Sequence, residues 1–273
     1  TGVDPRMPTQ SASDRMKMDF GLDIPVETVP IPSGGKVYPE SHPLHMCETV
    51  DIKAMTAREE DILTSRAYLK KGTVITELIK SCLVNKSINP VDLLAGDRNA
   101  LMVAIRITGY GVDYDVEVQC PECDVKAKQV FNLGDLPIKN LEIIPVSPGS
   151  NLFEFTLPYT KKRVKFRFIT GRDEEEIVAI AEKQKKLQLT QQESTVTTSL
   201  HYSIVSIDGV EDRSKIVGFV RMMPARDSLA LRTYIKDNEP GITMKQEITC
   251  QSCGAATEVG MPIGTSFLWP GAR

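Results

Sequence analysis

Cys120-Pro-Glu-Cys123 and Cys250-Gln-Ser-Cys253-Gly254 are the two stretches on which the reading of this chain turns. A lone C-x2-C is a weak signal. Two of them, each flanked by residues that alternate like strands, supply four thiolates of the kind that hold zinc in a tetrahedral site. A tight turn between two cysteines converges both sulfurs on one point, at metal–sulfur distances of about 2.3 Å. A redox C-x-x-C belongs at a helix N-terminus after a strand, which is not the setting here. Two disulfide-forming dithiols are the other alternative. With four sulfurs and no open position, a shared zinc would be structural and not catalytic. Residues 124–249 lie between the two pairs, so one ion shared by Cys120, Cys123, Cys250 and Cys253 would close a very long loop. Closure entropy grows slowly with loop length, so such a staple is feasible.

The strands follow from alternation. Tyr114 to Cys120 runs at period two into the first pair, and Val125 to Leu133 leaves it; Met244 to Thr249 and Ala255 to Met261 frame the second. Asp124 stands where many such knuckles place glycine, and Asp tolerates the left-handed conformation better than most residues.

Outward from the knuckles, residues 1 to about 36 carry Pro5, Pro8, Pro25, Pro30 and Pro32, then Ser33-Gly34-Gly35. That density of proline reads as an extended arm. Alternating Ile24, Val26, Val29 and Ile31 would lay it against something, such as a partner; a disordered tail is the plainer reading. Cys47 to Met55 reads as a strand. Thr56-Ala-Arg-Glu59 is a capping box opening a helix to Lys71, with Gly72 as its stop. A helix over Val74–Val84 follows, placing Cys82 in a core, then Asn89-Pro90 as a cap and N1 proline. Ala100 to Ile107 reads as a helix apolar on most of its circumference, hence central.

Beyond residue 137, Leu152–Leu157 and Val164–Ile169 read as a hairpin with a basic tip. Lys161, Lys162, Arg163, Lys165 and Arg167 would be either a phosphate-binding face or a solvated hairpin surface. A helix from Thr170-Gly-Arg-Asp173 to Leu189 has acids first and lysines last, which complements its dipole. Helices over Glu193–Val205, Ser214–Met222 and Ala225–Lys236 follow, with an Asp208-Gly209 turn. Phe267 and Trp269 would dock on the protein's own core.

The chain has 273 residues with 33 Lys and Arg against 36 Asp and Glu, a net charge of −3. That balance argues against a general nucleic-acid binder. No apolar run approaches a membrane span, and no secretory signal is visible. Six cysteines, four of them in C-x2-C pairs, fit a reducing compartment such as a cell's cytoplasm. His42, His45 and His201 form neither H-E-x-x-H nor a triad with a neighbouring Ser or Asp, and no glycine loop is placed to cradle phosphate. The residues therefore point to no enzyme, no catalytic residue and no small-molecule substrate.

Several motifs together resemble a known family. Val29-Pro-Ile-Pro-Ser33-Gly-Gly-Lys-Val-Tyr38-Pro39 looks like its "LPS-x-G-x-x-YP" entry motif. Met55-Thr-Ala-Arg-Glu-Glu-Asp-Ile-Leu-Thr64, Gly96-Asp-Arg-Asn99 and Ala104-Ile-Arg-Ile-Thr-Gly-Tyr110-Gly111 follow. Then come the first cysteine pair, Asp227-Ser-Leu-Ala-Leu-Arg232, Pro240-Gly241 and the second pair. The series, spanning roughly residues 29 to 270, resembles the baseplate hub subunit family of T-even-type, contractile-tailed bacteriophages. Its departures are Asp124 for Gly and a second glycine at 35. The resemblance implies a non-enzymatic protein made in the host cytoplasm and located in the virion tail baseplate, with other baseplate and tail hub proteins as partners.

The expectation is an α+β protein with a zinc-ribbon-like element made by the two distant knuckles. Its parts would be an arm (1–36), a helical segment with the first knuckle (37–136), an inserted hairpin and helices (137–243), and the second knuckle with a tail (244–273). The rival function is a zinc-ribbon nucleic-acid-binding protein using Lys161 to Arg167; a dithiol oxidoreductase is a third.

Overall fold

The computed structural model describes residue 21 and residues 23–186, 195–261 and 265–269. The first twenty residues of the arm, the end of the helix expected to reach Leu189, and the start of the one expected from Glu193 lie outside the described residues. The fold mixes helices with small antiparallel sheets.

The arm packs on its own protein. Strand β1 (Val26–Pro30) pairs antiparallel with β2 (Thr49–Lys53), Val29 opposite Val50, and both of those side chains are buried. Ile31, Ser33, Val37 and Tyr38 continue inward and are buried too. The alternation of Val29 and Ile31 is thus satisfied by the chain's own core, whereas Val26 of the same strand stays exposed. Gly35 is required at this bend: it has φ +68°, and a Cβ would fall 2.3 Å from the Leu44 carbonyl oxygen.

One long helix expected from Thr56 is in fact two, α1 (Ala57–Thr64) and α2 (Arg66–Lys71), broken at Ser65. The Thr64 hydroxyl donates back to the carbonyls of Glu60 and Asp61, and Ser65 leaves helical dihedrals at ψ 110°. Glu59 reaches back to the Thr56 N–H at 3.0 Å as the capping box requires. Gly72 ends α2 in the left-handed region. Helix α3 (Val74–Cys82) buries Leu78, Ile79 and Cys82, and stops early because Leu83 forms a bridge to Ile52 of β2.

The central helix, α4, runs from Ala95 to Tyr110, a turn earlier than its apolar run suggests. The added turn holds Asp97 and Arg98, both buried. Hairpin β3 (Asp113–Gln119) and β4 (Lys126–Asn132) follows, with Tyr114 opposite Phe131 facing inward. A short β5 (Ile138–Lys139) pairs with β9 (Gly241–Ile242), so the ends of the segment between them are zipped together.

Within that segment, β6 (Phe153–Thr156) and β7 (Arg163–Phe166) form the expected hairpin, and β8 (Ile204–Ile207) adds a third strand to it. Ile204 and Val205, read from sequence as a helix end, instead leave helix α6 (Thr195–Ser203) and pair with β7. Their β-branched side chains suit the sheet, and an available edge decides the matter. Phe153, Phe166 and Phe168 stack beneath it with centroids 4.9–5.9 Å apart. Asp208 and Gly209 both take positive φ in the turn after β8. Helices α5 (Gly171–Lys186), α7 (Arg213–Met222) and α8 (Ala225–Asn238) complete the segment. The second cysteine hairpin is β10 (Lys245–Thr249) with β11 (Ala256–Gly260). In α9 (Thr265–Leu268) the Phe267 ring is buried edge-on against Tyr114 at 5.1 Å, so the terminal aromatic docks on the core.

Candidate metal centre

Each cysteine pair occupies the turn of its hairpin, and the two turns are built alike. Cys120 donates its N–H to the Val125 carbonyl at 3.0 Å and accepts from the Asp124 N–H at 2.9 Å. Cys250 does the same with Ala255 and Gly254, at 2.9 and 2.8 Å. The turn closes through a left-handed residue, Asp124 at φ 58° in one and Gly254 at φ 72° in the other. The aspartate thus takes the glycine conformation.

The four sulfurs converge. Their ligand atoms all lie within 4.8 Å of one another, with Cys120 and Cys253 at 3.9 Å and Cys123 and Cys250 at 3.7 Å. A tetrahedron with metal–sulfur bonds of about 2.3 Å has sulfur–sulfur edges of about 3.8 Å. A disulfide needs about 2.05 Å, and all four cysteines are free. Cys120 and Cys250 are buried, Cys123 is half-buried and Cys253 is exposed, so an ion would be reached from one side.

The electrostatics favour thiolate at one position. The backbone N–H groups of Cys253 and Ser252 point at the Cys250 sulfur and bring its pKa down to about 6. The Val125 N–H pulls Cys123 the same way, but desolvation and the neighbouring sulfurs outweigh it and push that thiol up to about 12. A bound cation would reverse this by stabilising every thiolate at once.

The other candidates from sequence dissolve into structural roles. His42 stacks on Tyr38 at 4.5 Å and its Nδ1 accepts from the Leu44 N–H, while His45 Nδ1 lies 2.6 Å from the Tyr38 carbonyl. Within the basic hairpin, Lys162 pairs with Asp208 at 2.7 Å and Lys165 with Glu154 at 3.9 Å. Arg167 grips Asp173 in a two-point contact at 2.6 and 2.7 Å. Three of the five cations therefore have carboxylates of their own.

The motifs that carried the family resemblance meet inside the protein, which spacing alone did not reveal. Asp97 accepts from the Ser33 N–H at 2.9 Å, the Ser33 hydroxyl at 2.6 Å and the Tyr38 hydroxyl at 2.5 Å, and the Tyr38 oxygen accepts from the Leu94 N–H. Burial pushes the Asp97 carboxyl up against the pull of these donors; burial and the Asp97 charge push Tyr38 well above its ordinary value. Next to it, Arg98 binds the Pro90 carbonyl at 3.0 Å, Thr76 at 3.2 Å and Glu174 of α5 at 3.3 Å. Asp227, fully buried, caps the turn after β6 by accepting from the N–H groups of Tyr159 and Thr160 at 2.7 and 3.0 Å.

A family model described as T4 bacteriophage base plate protein matches residues 25–269. The chain belongs to that family. Comparison with curated proteins gives no match, and comparison with solved structures gives none. Membership of the T4 base plate family implies a place in the virion tail and assembly with other phage tail proteins. No described helix is long and apolar enough to cross a membrane.

Proposed function

We propose that this T4-type baseplate protein is a non-enzymatic structural or assembly subunit of the baseplate hub, held together by one structural zinc on Cys120, Cys123, Cys250 and Cys253. The observation that carries the metal is the near-tetrahedral spacing of the four sulfurs. Zinc is the ion of choice because an all-thiolate tetrahedron suits it and leaves no position open for substrate. The two hairpins then form a zinc-ribbon-like element without pairing their strands into one sheet. The chain falls into parts at residues 37, 137 and 244, a division that the β5–β9 zipper supports by closing the 137–243 insertion at its neck. The hub location rests on the motif series, whose members build the Ser33–Tyr38–Asp97 network.

Two measurements test the proposal. Elemental analysis with native mass spectrometry should find one zinc per chain, and purified tails or hub intermediates should contain the protein. A metal-free folded chain would sink the clamp, and absence from both particles would sink the hub role.

A further inference from the structure

Among the described residues β3 pairs only with β4 and β11 only with β10, so each of these hairpins keeps an open outer edge. The register shows which backbone groups that edge presents. Cys120 bonds to Val125 and Leu133 to Val112, so by alternation Val116 and Val118 turn their N–H and C=O groups toward β4. Those of Glu117 and Gln119 turn away from it. The bonds of Cys250 to Ala255 and of Met261 to Met244 set the same rule in the second hairpin. There Thr257 and Val259 face β10, and Glu258 and Gly260 turn away. These four outward residues border one groove of about 360 Å3 between the hairpins, together with Val118, Val259 and Pro121. Each wall of the groove is thus a strand edge whose backbone groups bond to nothing among the described residues.

An open edge is a template for a further strand. Gly260 adds a second sign of one. Its φ is not positive and a Cβ there would meet nothing within 4 Å, so neither a turn nor a close contact of this chain calls for glycine. A glycine in a strand marks a place where another backbone can come close. Val118 and Val259, both buried, give the groove an apolar floor. Its walls are acidic. The exposed charges of β3 and β11 are Asp113, Asp115, Glu117 and Glu258, and neither strand holds a lysine or arginine. Lys126, Lys128 and Lys245 stand one strand farther out beside Glu247, so this face of the two hairpins carries five carboxylates against three cations. The turns add Glu122 and Asp124 and no cation. Glu117 reaches Lys126 only at 4.0 Å and Glu258 reaches Lys245 at 2.8 Å, all four side chains being more than half exposed.

We infer that the groove between β3 and β11 takes an extended segment of another baseplate protein as an added strand, an inference that rests on reading the chain as a baseplate assembly subunit. The segment's backbone bonds to the outward groups of Glu117 and Gln119 on one side and of Glu258 and Gly260 on the other. Its side chains alternate: apolar ones lie over Val118 and Val259, and lysines or arginines between them lie beside Glu117 and Glu258. A second copy presenting the same two edges would set carboxylate against carboxylate, which disfavours it. Nucleic acid is repelled by the same carboxylates.

The test uses the full chain in infected cells. Glu258→Pro removes an N–H that faces the groove and leaves the β10–β11 ladder its bonds, as proline does on the open side of an edge strand. The double variant Glu117→Lys, Glu258→Lys keeps every backbone group and changes only exposed side chains, so its thermal midpoint should stay close to wild type. Incorporation of each variant into tail particles should fall by about tenfold. Should the proline variant fail to fold, the charge-reversed one decides alone. A photo-crosslinking residue at position 119 should capture a peptide of another tail protein in which Lys or Arg alternates with apolar residues. Changing those partner cations to glutamate should restore incorporation of the charge-reversed variant. Undiminished incorporation of the charge-reversed variant, or a crosslink to a second copy, to nucleic acid or to an acidic peptide, overturns the groove assignment alone. Absence of the wild-type chain from tail particles overturns the baseplate reading and the groove with it.

Discussion

Gly96 lies so close to Pro240 that a Cβ built on the glycine would fall 1.7 Å from the proline's carbonyl oxygen. This is backbone against backbone, at the point where α4 crosses β9, so neither side can swing aside as a side chain would. Gly96→Ala is therefore expected to cost at least the 1–3 kcal/mol, roughly, of an overpacked core, read as a lower urea midpoint. At Gly218 a Cβ meets nothing within 4 Å and the backbone is helical, so Gly218→Ala should be neutral or stabilising by up to about 1 kcal/mol. Equal behaviour of the two variants would contradict the close crossing.

Cysteine replacement probes the clamp. Cys120→Ser or Cys250→Ser should abolish stoichiometric zinc and lower stability by about 2–5 kcal/mol, the scale on which removing a native cross-link acts. Thermal unfolding with and without a chelator should show wild type losing stability to the chelator and the variants indifferent to it. A variant that melts like wild type and enters tails normally would make the clamp dispensable.

The acid response has a defined sign at Glu59. Burial works against its carboxylate. The hydroxyls of Ser81 and Thr56, the Thr56 N–H and Lys53 nevertheless bring its pKa from the ordinary 4.5 to about 2. Because the folded-state pKa is depressed, this contribution is fully present above pH 4.5 and is lost as pH falls toward 2. Between those values the unfolded chain takes up a proton that the folded one refuses. Denaturation curves across this interval should be flatter for Glu59→Gln than for wild type; identical slopes would remove Glu59 from the account.

Asp227 is expected to be among the costly surface-distant positions. Asp227→Ala leaves the N–H groups of Tyr159 and Thr160 without their acceptor and opens a buried gap, for about 1–3 kcal/mol per unsatisfied donor. Asp227→Asn keeps one acceptor oxygen and should recover part of the loss. Hydrogen exchange of the 159 and 160 amides reports it directly: they should exchange faster in the alanine variant.

The two cysteine turns were legible because their geometry is local. Two sulfurs three residues apart in a hairpin turn point the same way whatever the rest of the chain does, and alternation announced the four strands around them. The helix caps at Thr56 and Gly72 were legible for the same reason. What escaped were features decided by distant neighbours. Ile204 and Val205 became a strand because β7 offered an edge. Asp97 and Arg98 joined the buried start of α4 because Ser33, Tyr38 and Glu174 were waiting for them. The arm at Val29 and Ile31 found its contact within the chain through β2. In each case the local residues permitted more than one outcome and a long-range partner chose.

The sulfur site takes half its ligands from residues 120 and 123 and half from 250 and 253, and this sets an order in time. A ribosome delivers the first pair long before the second, so a growing or truncated chain can offer an ion only two thiolates. Full four-sulfur coordination becomes possible only once residues 124–249, including the zipped insertion, and the second pair have been synthesised. Loading of the proposed zinc would thereby act as a checkpoint: it would tell chains made through Cys253 from shorter ones before they reach the tail.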